Sequence, residues 1–525
     1  MQHDSTGTTD IRLAELMAAL SLATDLGMGQ PLEWALCSCV LAVRLGDALG
    51  FSEEELREIY YQALLRYIGC NAETHMLAAL AGDEIALRTD FATIDNGSLP
   101  QVLGMMTRHI RQANAGASPL DLAQAIVRNL VLSARDTPGF FSGHCEVAQR
   151  LAARLGFGER IVYALGQLYA RWDGKGIPAL KGEAIAPAVR VVTLAQDAVT
   201  FHRLGGVEAA LAVARQRKGG AYDPAIVERF CRAAPALLAG LENEPSWEAV
   251  LAIEPGPRMY LTEAQLDTAC QAIADFADIK SPYTLGHSTG VAALAAEAAR
   301  RCGLPADDVV AICRAGLLHD LGRVGVSAGI WGKAGSLSSR EWEQVRLHPY
   351  HTERILARPP ALARLGALAA LHHERLDGSG YHRAAPASIL TPAARILAAA
   401  DAYRAMTELR PHRPARSAED AAAELRREAQ AGRLDSDAAA GVLAAAGHAS
   451  QTSRRTMVAG LSAREIEVLR LLARGHSIKQ IAATLTISSK TADNHIQHIY
   501  AKIGVSTRAG ATLFAMENDL VRTED

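Results

Sequence analysis

The sequence predicts an all-α protein, with tandem helical bundles followed by a small C-terminal helix-turn-helix domain. Three observations predict it. Alanine and leucine dominate the 525 residues while aromatics make up only 5%, and runs of Val, Ile or Thr at period two, the mark of strands, are hard to find. Apolar residues instead recur at helical spacing over long stretches. Residues 456–525 then change character, becoming a series of short capped helices. A chain this long exceeds one core, so two to four domains are expected.

The elements justify themselves in order. The opening MQHDSTGTTD is polar and expected to fray. From Ile11 to about Gly50 apolar residues repeat with helical period, and Phe51-Ser-Glu-Glu-Glu-Leu56 has the pattern of a capping box opening the next helix. The stretch from Asn71 to Pro119 is polar, dotted with glycine, and read as the least regular part. Gly143-His144 is expected to open a helix, Arg171 to Pro178 to form a turn-rich loop, and Leu194 to Val199 to close the first bundle. Proline-rich segments at Glu242–Pro245 and Pro255–Pro257 are expected to form a linker, as is Gly447–Arg455. These boundaries give domains at 1–244, 258–446 and 456–525.

Charge and cysteine usage exclude several classes. A net charge of −3 argues against a protein that coats nucleic acid or a membrane surface throughout its length. The start carries no basic-then-apolar signal and no apolar run reaches spanning length, so no membrane association and a cytoplasmic location are expected. The eight cysteines are scattered; Cys37-Ser-Cys39 has no second pair to complete a zinc site, which leaves buried thiols in a reducing compartment.

The chemistry gathers around Gly316-Leu-Leu-His319-Asp320-Leu-Gly322-Arg323. Here an apolar helix runs into an adjacent His-Asp pair and stops at a glycine. Such a pair is costly to bury unless a cation or another partner satisfies it. It has company: Gly286-His287-Ser288, then His348, then His372-His373-Glu374-Arg375 with Asp377-Gly378-Ser379-Gly380-Tyr381, then Asp401. Histidines and aspartates recurring between apolar helical segments read as a polymetal site inside a helical bundle.

An internal repeat accompanies this pattern. Shifting the first half by 253 residues carries Arg66-Tyr67 onto His319-Asp320 and Trp34 onto His287. After the irregular stretch, a shift of 204 carries His144 onto His348, Leu168-Tyr169 onto His372-His373 and Asp197 onto Asp401. Of the seven candidate ligands the first half keeps only His144 and Asp197, too few to hold a metal. There Arg66 is expected to approach Asp197 as a replacement for the lost cation, beside His144, with Tyr67 and Tyr169 filling the volume.

From about Thr262 to Ala446 these motifs together resemble the HD-GYP branch of the HD phosphohydrolases. The resemblance implies an all-α fold, two divalent metal ions (iron or manganese first, zinc as a further option) and a cyclic di-GMP-like phosphoester substrate. It implies that His287, His319, Asp320 and Asp401 hold one ion. Asp320 would bridge to a second ion held also by His348, His372 and His373, with Asp320 and Arg323 as the catalytic pair. Asp377, Gly378, Gly380 and Tyr381 would form the substrate loop. Two adjacent cations can polarise a phosphodiester and activate water at neutral pH. Three departures stand out: Arg323 replaces the family's lysine, His382 replaces the proline of the Gly-Tyr-Pro signature, and Tyr283 replaces the glutamate of three-metal members. A forked guanidinium still grips phosphate, with a geometry unlike that of an ammonium.

In the C-terminal segment, Leu461 to Leu469 carries a helix-start signature, Gly475 to Ala482 leads into a short helix, and Thr486-Ile487-Ser488 turns into a further helix over Ser489–Lys502. Two helices joined by a three-residue turn, the second bearing polar and basic residues, can enter a major groove. This segment resembles LuxR-type DNA-binding domains. The resemblance places Lys490, Thr491, Asn494 and His495 on the recognition helix and Lys502 and Arg508 near the phosphate backbone of double-stranded DNA. Asp493 stands where the family usually has lysine. From Arg454 onward ten Lys/Arg against seven Asp/Glu give a modest basic footprint. The expectation is a homodimeric, DNA-binding regulator carrying a metal-dependent phosphodiesterase domain. The alternative is a regulator whose HD-GYP domain senses a nucleotide or metal without turnover.

Overall fold

The structure, a computed structural model, describes residues 8–241, 246–447, 458–518 and 520–521. It is mostly helical, as expected, and divides into two compact units between Gln265 and Leu266.

The first unit begins with a short antiparallel ribbon, Thr8–Arg12 against Tyr260–Thr262. Residues 8–10, expected to fray, are therefore paired. Helices Leu13–Gly27 and Trp34–Ala48 are buried on nearly every side, which explains an apolar run too continuous to mark one face. The Ser52 capping box forms: Glu55 N–H donates to Ser52 Oγ at 3.4 Å and Ser52 N–H donates to the Glu55 carboxylate at 2.9 Å. The stretch from Asn71 to Pro119 is far more regular than its composition suggests, with helices Thr74–Ala81, Glu84–Phe91 and Leu99–Ala113. These are short or amphipathic. Asp83 caps the second by accepting from the Ile85 and Ala86 amides, and the third buries only Met105, Met106, His109 and Ile110, so most of its surface is polar. His144 lies inside the helix Pro119–Arg154 rather than opening one. The proline-rich stretch read as a linker contains the helix Ser246–Ala252, anchored by buried Trp247 and Val250. The second expected linker lies outside the described residues beyond Gly447.

The second unit packs helices Glu263–Asp278, His287–Arg301, Ala306–Leu318, His348–Leu356, Pro360–Ala369 and Pro392–Thr407 around a core that includes Val291, Ala295, Ile312, Leu397, Leu425 and Val442. Small residues bring backbones together where the histidines sit. A Cβ at Gly316 would lie 2.7 Å from Ala292 Cα, and one at Gly322 would lie 2.0 Å from the His348 carbonyl oxygen.

The same approaches recur in the first unit at the positions related by the repeat. A Cβ at Gly69 would lie 1.9 Å from the His144 carbonyl oxygen. A Cβ at Gly176 would meet the Arg171 amide at 2.5 Å, as one at Gly380 would meet the Arg375 amide at 2.5 Å. Asp25 accepts from the Ala35 amide at 3.2 Å and Asp278 from the Ser288 amide at 2.8 Å. The two units thus share these close approaches at the related positions.

At the C-terminal end, helices Ala463–Ala473 and Ile478–Thr484 open on capping boxes at Ser462 and Ser477, and Ser489–Ile503 and Arg508–Glu517 follow. No described helix is long and apolar enough to cross a membrane.

Gly322 carries the first testable consequence. Gly322→Ala forces a methyl group into a backbone carbonyl, and overpacking of this kind costs about 1–3 kcal/mol or more. Thermal unfolding in the presence of a chelator should show a Tm several degrees lower. Gly335→Ala, where an added Cβ meets nothing within 4 Å, should leave it unchanged.

Candidate metal centre

The helix Ala306–Leu318 delivers His319 and Asp320 at its C-terminal end. His287 opens the helix His287–Arg301, His348 opens His348–Leu356, His372 and His373 follow Pro360–Ala369, and Asp401 lies within Pro392–Thr407. All seven expected residues converge. His287, His319, Asp320, His348, His372 and Asp401 are at most 2% exposed.

Asp320 stands at the middle. Its Oδ2 faces His319 Nε2 at 3.2 Å and His287 Nε2 at 3.6 Å, while Oδ1 faces His348 Nε2 at 3.4 Å and His372 Nε2 at 3.5 Å. Asp401 Oδ1 lies 3.2 Å from His287 Nε2, and its Oδ2 lies 3.5 Å from His373 Nδ1. Three groups have donor atoms within 4.8 Å of one another: His287, His319 and Asp401; His348, His372 and His373; and His319, Asp320 and His372.

Backbone and second carboxylates fix the imidazoles. His319, His348 and His372 each turn Nδ1 to the carbonyl three residues earlier, at 2.7, 2.6 and 2.7 Å. An Nδ1–H donated there leaves Nε2 as the lone-pair atom aimed inward, as ligating histidines need. His287 instead pairs Nδ1 with Glu408 at 2.8 Å. Glu408 is itself held by Arg404 and Arg410, each at 3.0 Å.

Whether this donor set fits a cation is decided by its orphans. His319 Nε2 and both oxygens of Asp320 are buried and accept or donate no hydrogen bond. Buried groups of this kind are costly unless something charged meets them. Mixed imidazole and carboxylate donors suit iron, manganese or zinc, so the residues fit divalent metal.

The electrostatics of the carboxylates, His372 and His373 agree, whereas His287 and His319 are both raised, so each would release a proton on binding an ion. Burial opposes the charge on Asp320, but Arg323 and His319 hold its carboxyl well below the usual range. Burial likewise opposes the charge on Asp401, which His287 and His319 nonetheless keep well below its ordinary value. Burial pulls His372 down to about 4 and His373 well below its ordinary value. For His319 burial also pushes down, but Asp320 reverses this and raises it to about 10. Ionised carboxylates beside neutral His372 and His373 are states that a cation requires.

Arg323 Nε approaches Asp320 Oδ2 at 2.9 Å, and its guanidinium lies 4.7 Å from the Trp331 ring centroid. In the expected substrate loop, Asp377 accepts from the Ser379 amide at 3.0 Å, Gly378 has a left-handed φ of 77°, and Tyr381 stacks 4.6 Å from the His373 ring. Glu374 ties this loop down, accepting from the Arg383 and Ala385 amides at 2.8 Å each. Sequence reasoning missed Glu408, Arg404, Arg410 and the role of Glu374. Glu374 adjoins the paired histidines and could have been suspected; Glu408 sits in Thr-Glu-Leu-Arg with nothing to distinguish it from a surface glutamate.

In the first unit the expected pairing of Arg66 with Asp197 does not form. Asp197 is satisfied by Arg217 at 2.6 Å and by the Tyr222 hydroxyl. Arg66 turns Nη2 to the Leu168 carbonyl at 2.8 Å. The loop bearing Arg217 and Tyr222 follows a long helix, and nothing in the repeat pointed to it. His144 does lie beside the pseudo-site, with Nδ1 3.1 Å from the Tyr169 hydroxyl and Nε2 3.2 Å from the Ala72 carbonyl oxygen.

On the helix Ser489–Ile503, Lys490, Thr491 and Asn494 are exposed, and His495 is half-buried. Ala492, Ile496 and Ile499 pack inward. Gln497 and His498 extend the exposed face and were not singled out from sequence. Arg508 is half-buried at the start of the last helix. Lys502 is exposed, and its ammonium pairs with Glu465 at 2.7 Å and the Gly460 carbonyl at 3.2 Å.

A direct consequence concerns Glu408. Glu408→Gln removes the carboxylate that orients His287, a change that typically costs about 10–100-fold in metal affinity. Competition titration against a chromogenic chelator should show that loss with the helical circular dichroism spectrum intact.

The comparisons with known proteins agree with this geometry. The HD domain family model matches residues 271–438. The model for bacterial regulatory proteins of the luxR family matches residues 459–515. The chain is 31% identical over 408 residues to a 3'3'-cGAMP-specific phosphodiesterase (number 3) of Vibrio cholerae, covering 77% of this chain and 88% of the relative. It is 37% identical over 140 residues to a cyclic di-GMP phosphodiesterase of Pseudomonas aeruginosa, covering 26% of this chain and 34% of that one. The crystal structure of a V. cholerae cyclic GMP-AMP-specific phosphodiesterase, V-cGAP3, matches with a TM-score of 0.57 at 28% identity, covering 84% of this chain and 98% of the other. The chain belongs to the HD-GYP family of HD-domain proteins and ends in a regulatory domain of the luxR family.

Proposed function

We propose that residues 258–446 form a phosphodiesterase that linearises a 3'3'-cyclic dinucleotide, cyclic GMP-AMP or cyclic di-GMP, and that residues 456–525 couple it to double-stranded DNA. The observation that carries this reading is the buried Asp320 carboxylate, whose two oxygens face two separate histidine sets. The relative named for 3'3'-cGAMP aligns along 88% of its own length, which puts that dinucleotide first.

Two divalent ions fit the two donor groups, His287, His319 and Asp401 on one side and His348, His372 and His373 on the other, with Asp320 shared. When bound, such a pair supplies Lewis acidity to a phosphodiester and lowers the pKa of water. The chain's own residues do the rest. Arg323 places a guanidinium at the rim of the carboxylate, stacked on Trp331, where it can grip a phosphate oxygen. Tyr381, against His373, walls the pocket, and Glu374 holds its loop. Hydrolysis adds water across one P–O bond and leaves a linear dinucleotide.

The first unit, on this reading, is a copy of the second that has exchanged five of its ligands for Trp34, Arg66, Tyr67, Leu168 and Tyr169. We place the whole in the cytoplasm as a homodimer on a roughly two-fold-symmetric DNA site, since single domains of this type bind weakly. A second reading, sensing without turnover, draws on Arg323, whose Nε at 2.9 Å from Asp320 competes for the carboxylate.

Metal-loaded protein incubated with a panel of cyclic dinucleotides decides between them. A linear product from 3'3'-cGAMP supports hydrolysis, and saturable binding with no product supports sensing. Elemental analysis should find Asp320→Ala nearly metal-free and His287→Ala retaining a substantial part of its metal; equal content in the two variants contradicts the shared carboxylate. DNA binding should weaken with salt through counterion release. Lys490→Ala should reduce the salt slope by about one unit, whereas Lys502→Ala, already paired with Glu465, should change it much less.

A further inference from the structure

The first unit holds a partly open cavity of about 470 Å³, a size typical of sites for small organic molecules. It lies where the repeat would place a metal centre, but its chemistry differs. Most of its wall is apolar, with Leu77, Leu80, Met105, Met106, Phe140 and Phe141 contributing.

At the polar end sits Arg66, only 7% exposed. One nitrogen, Nη2, bonds to the Leu168 carbonyl, while Nε and Nη1 have no hydrogen-bond partner. No carboxylate among the described residues pairs with it; the nearest aromatic contact is Tyr67, whose ring centroid is 5.9 Å from the guanidinium carbon. Gln196 Nε2 and Thr193 Oγ1, one turn apart on the same helix, also line the cavity without partners. A buried cation with two idle donors is costly to keep without an anion.

The other guanidiniums on the wall have more partners, although Arg217 keeps one unpartnered nitrogen, Nε. Arg217 pairs with Asp197, Arg171 with Asp95 and Asp173, and Arg88 bonds to the Gly27 and Cys70 carbonyls. Arg66 is the wall guanidinium with two unpartnered nitrogens, which places an anionic head at its end of the cavity. A cyclic dinucleotide brings two phosphates and two sugars, which mostly apolar walls do not suit.

We propose that this cavity binds a small amphipathic monocarboxylic acid, its carboxylate held by Arg66 with Gln196 and Thr193, its apolar body among the leucine, methionine and phenylalanine side chains. The proposal does not depend on hydrolysis by the second unit. It makes the first unit a ligand-binding module in a chain that carries both a metal centre and a DNA-binding domain.

The test is isothermal calorimetry of the full-length, metal-loaded protein with decanoate and with 2-naphthoate, with decan-1-ol as the uncharged comparison. Saturable binding of at least one acid, at one site per chain, is expected. Arg66→Met should weaken acid binding at least tenfold while leaving decan-1-ol unaffected. Leu77→Trp, which fills the apolar end and leaves Arg66 intact, should weaken acid and alcohol alike; it decides the matter if Arg66→Met fails to give a cooperative thermal melt. Absence of saturable binding by both acids overturns the proposal, as does wild-type affinity in a folded Arg66→Met protein or in Leu77→Trp. Binding of 3'3'-cGAMP that is lost in Arg66→Met would also overturn it, by making the cavity a dinucleotide site.

Discussion

The second unit is built around one buried carboxylate that has to stay ionised. Asp320 is wholly removed from solvent, accepts no hydrogen bond, and faces four imidazoles and one guanidinium. A charge in that position is tolerable only if positive charge surrounds it. The histidines are held by backbone carbonyls or by Glu408 so that they present nitrogen to it, and the glycines at 316 and 322 let the helices close around it. Alanine-rich helices serve the same end, since small side chains allow the close crossings that bring ligands on five separate segments to one point.

The first unit makes some of the same close approaches around a different set of side chains. Gly69, Gly176 and Asp25 make the close approaches and the capping bond that Gly322, Gly380 and Asp278 make in the second unit. What sits inside is an arginine, a stacked Trp34–Tyr67 pair with ring centroids 5.7 Å apart, and a cavity with apolar walls. Asp197 pairs with Arg217, and Arg66 turns to the Leu168 carbonyl.

Much of this was legible in the sequence. The His-Asp pair with its flanking histidines marked the site because polar residues at the ends of apolar helices need a physical reason. The close approaches that the two units share were legible as matching spacings. What stayed hidden depended on tertiary contact. Glu408 and Arg410 look like ordinary charged residues until the chain brings them behind His287. The helices between Asn71 and Pro119 were disguised by a surface rich in polar residues, and Ser246–Ala252 by the prolines that flank it. Arg217 took the role expected of Arg66 because the loop that carries it returns to Asp197, a fold-level event that no local pattern announces. The pairing of Lys502 with Glu465, a residue whose own local task is helix capping, was likewise not announced by any local pattern.

The most direct measurement is anomalous diffraction at the metal absorption edge from crystals of the metal-loaded protein. The account predicts two peaks in the second unit, each beside a different oxygen of Asp320, one among His287, His319 and Asp401 and the other among His348, His372 and His373. A single peak, or a pair that leaves Asp320 outside the coordination of either ion, would contradict it.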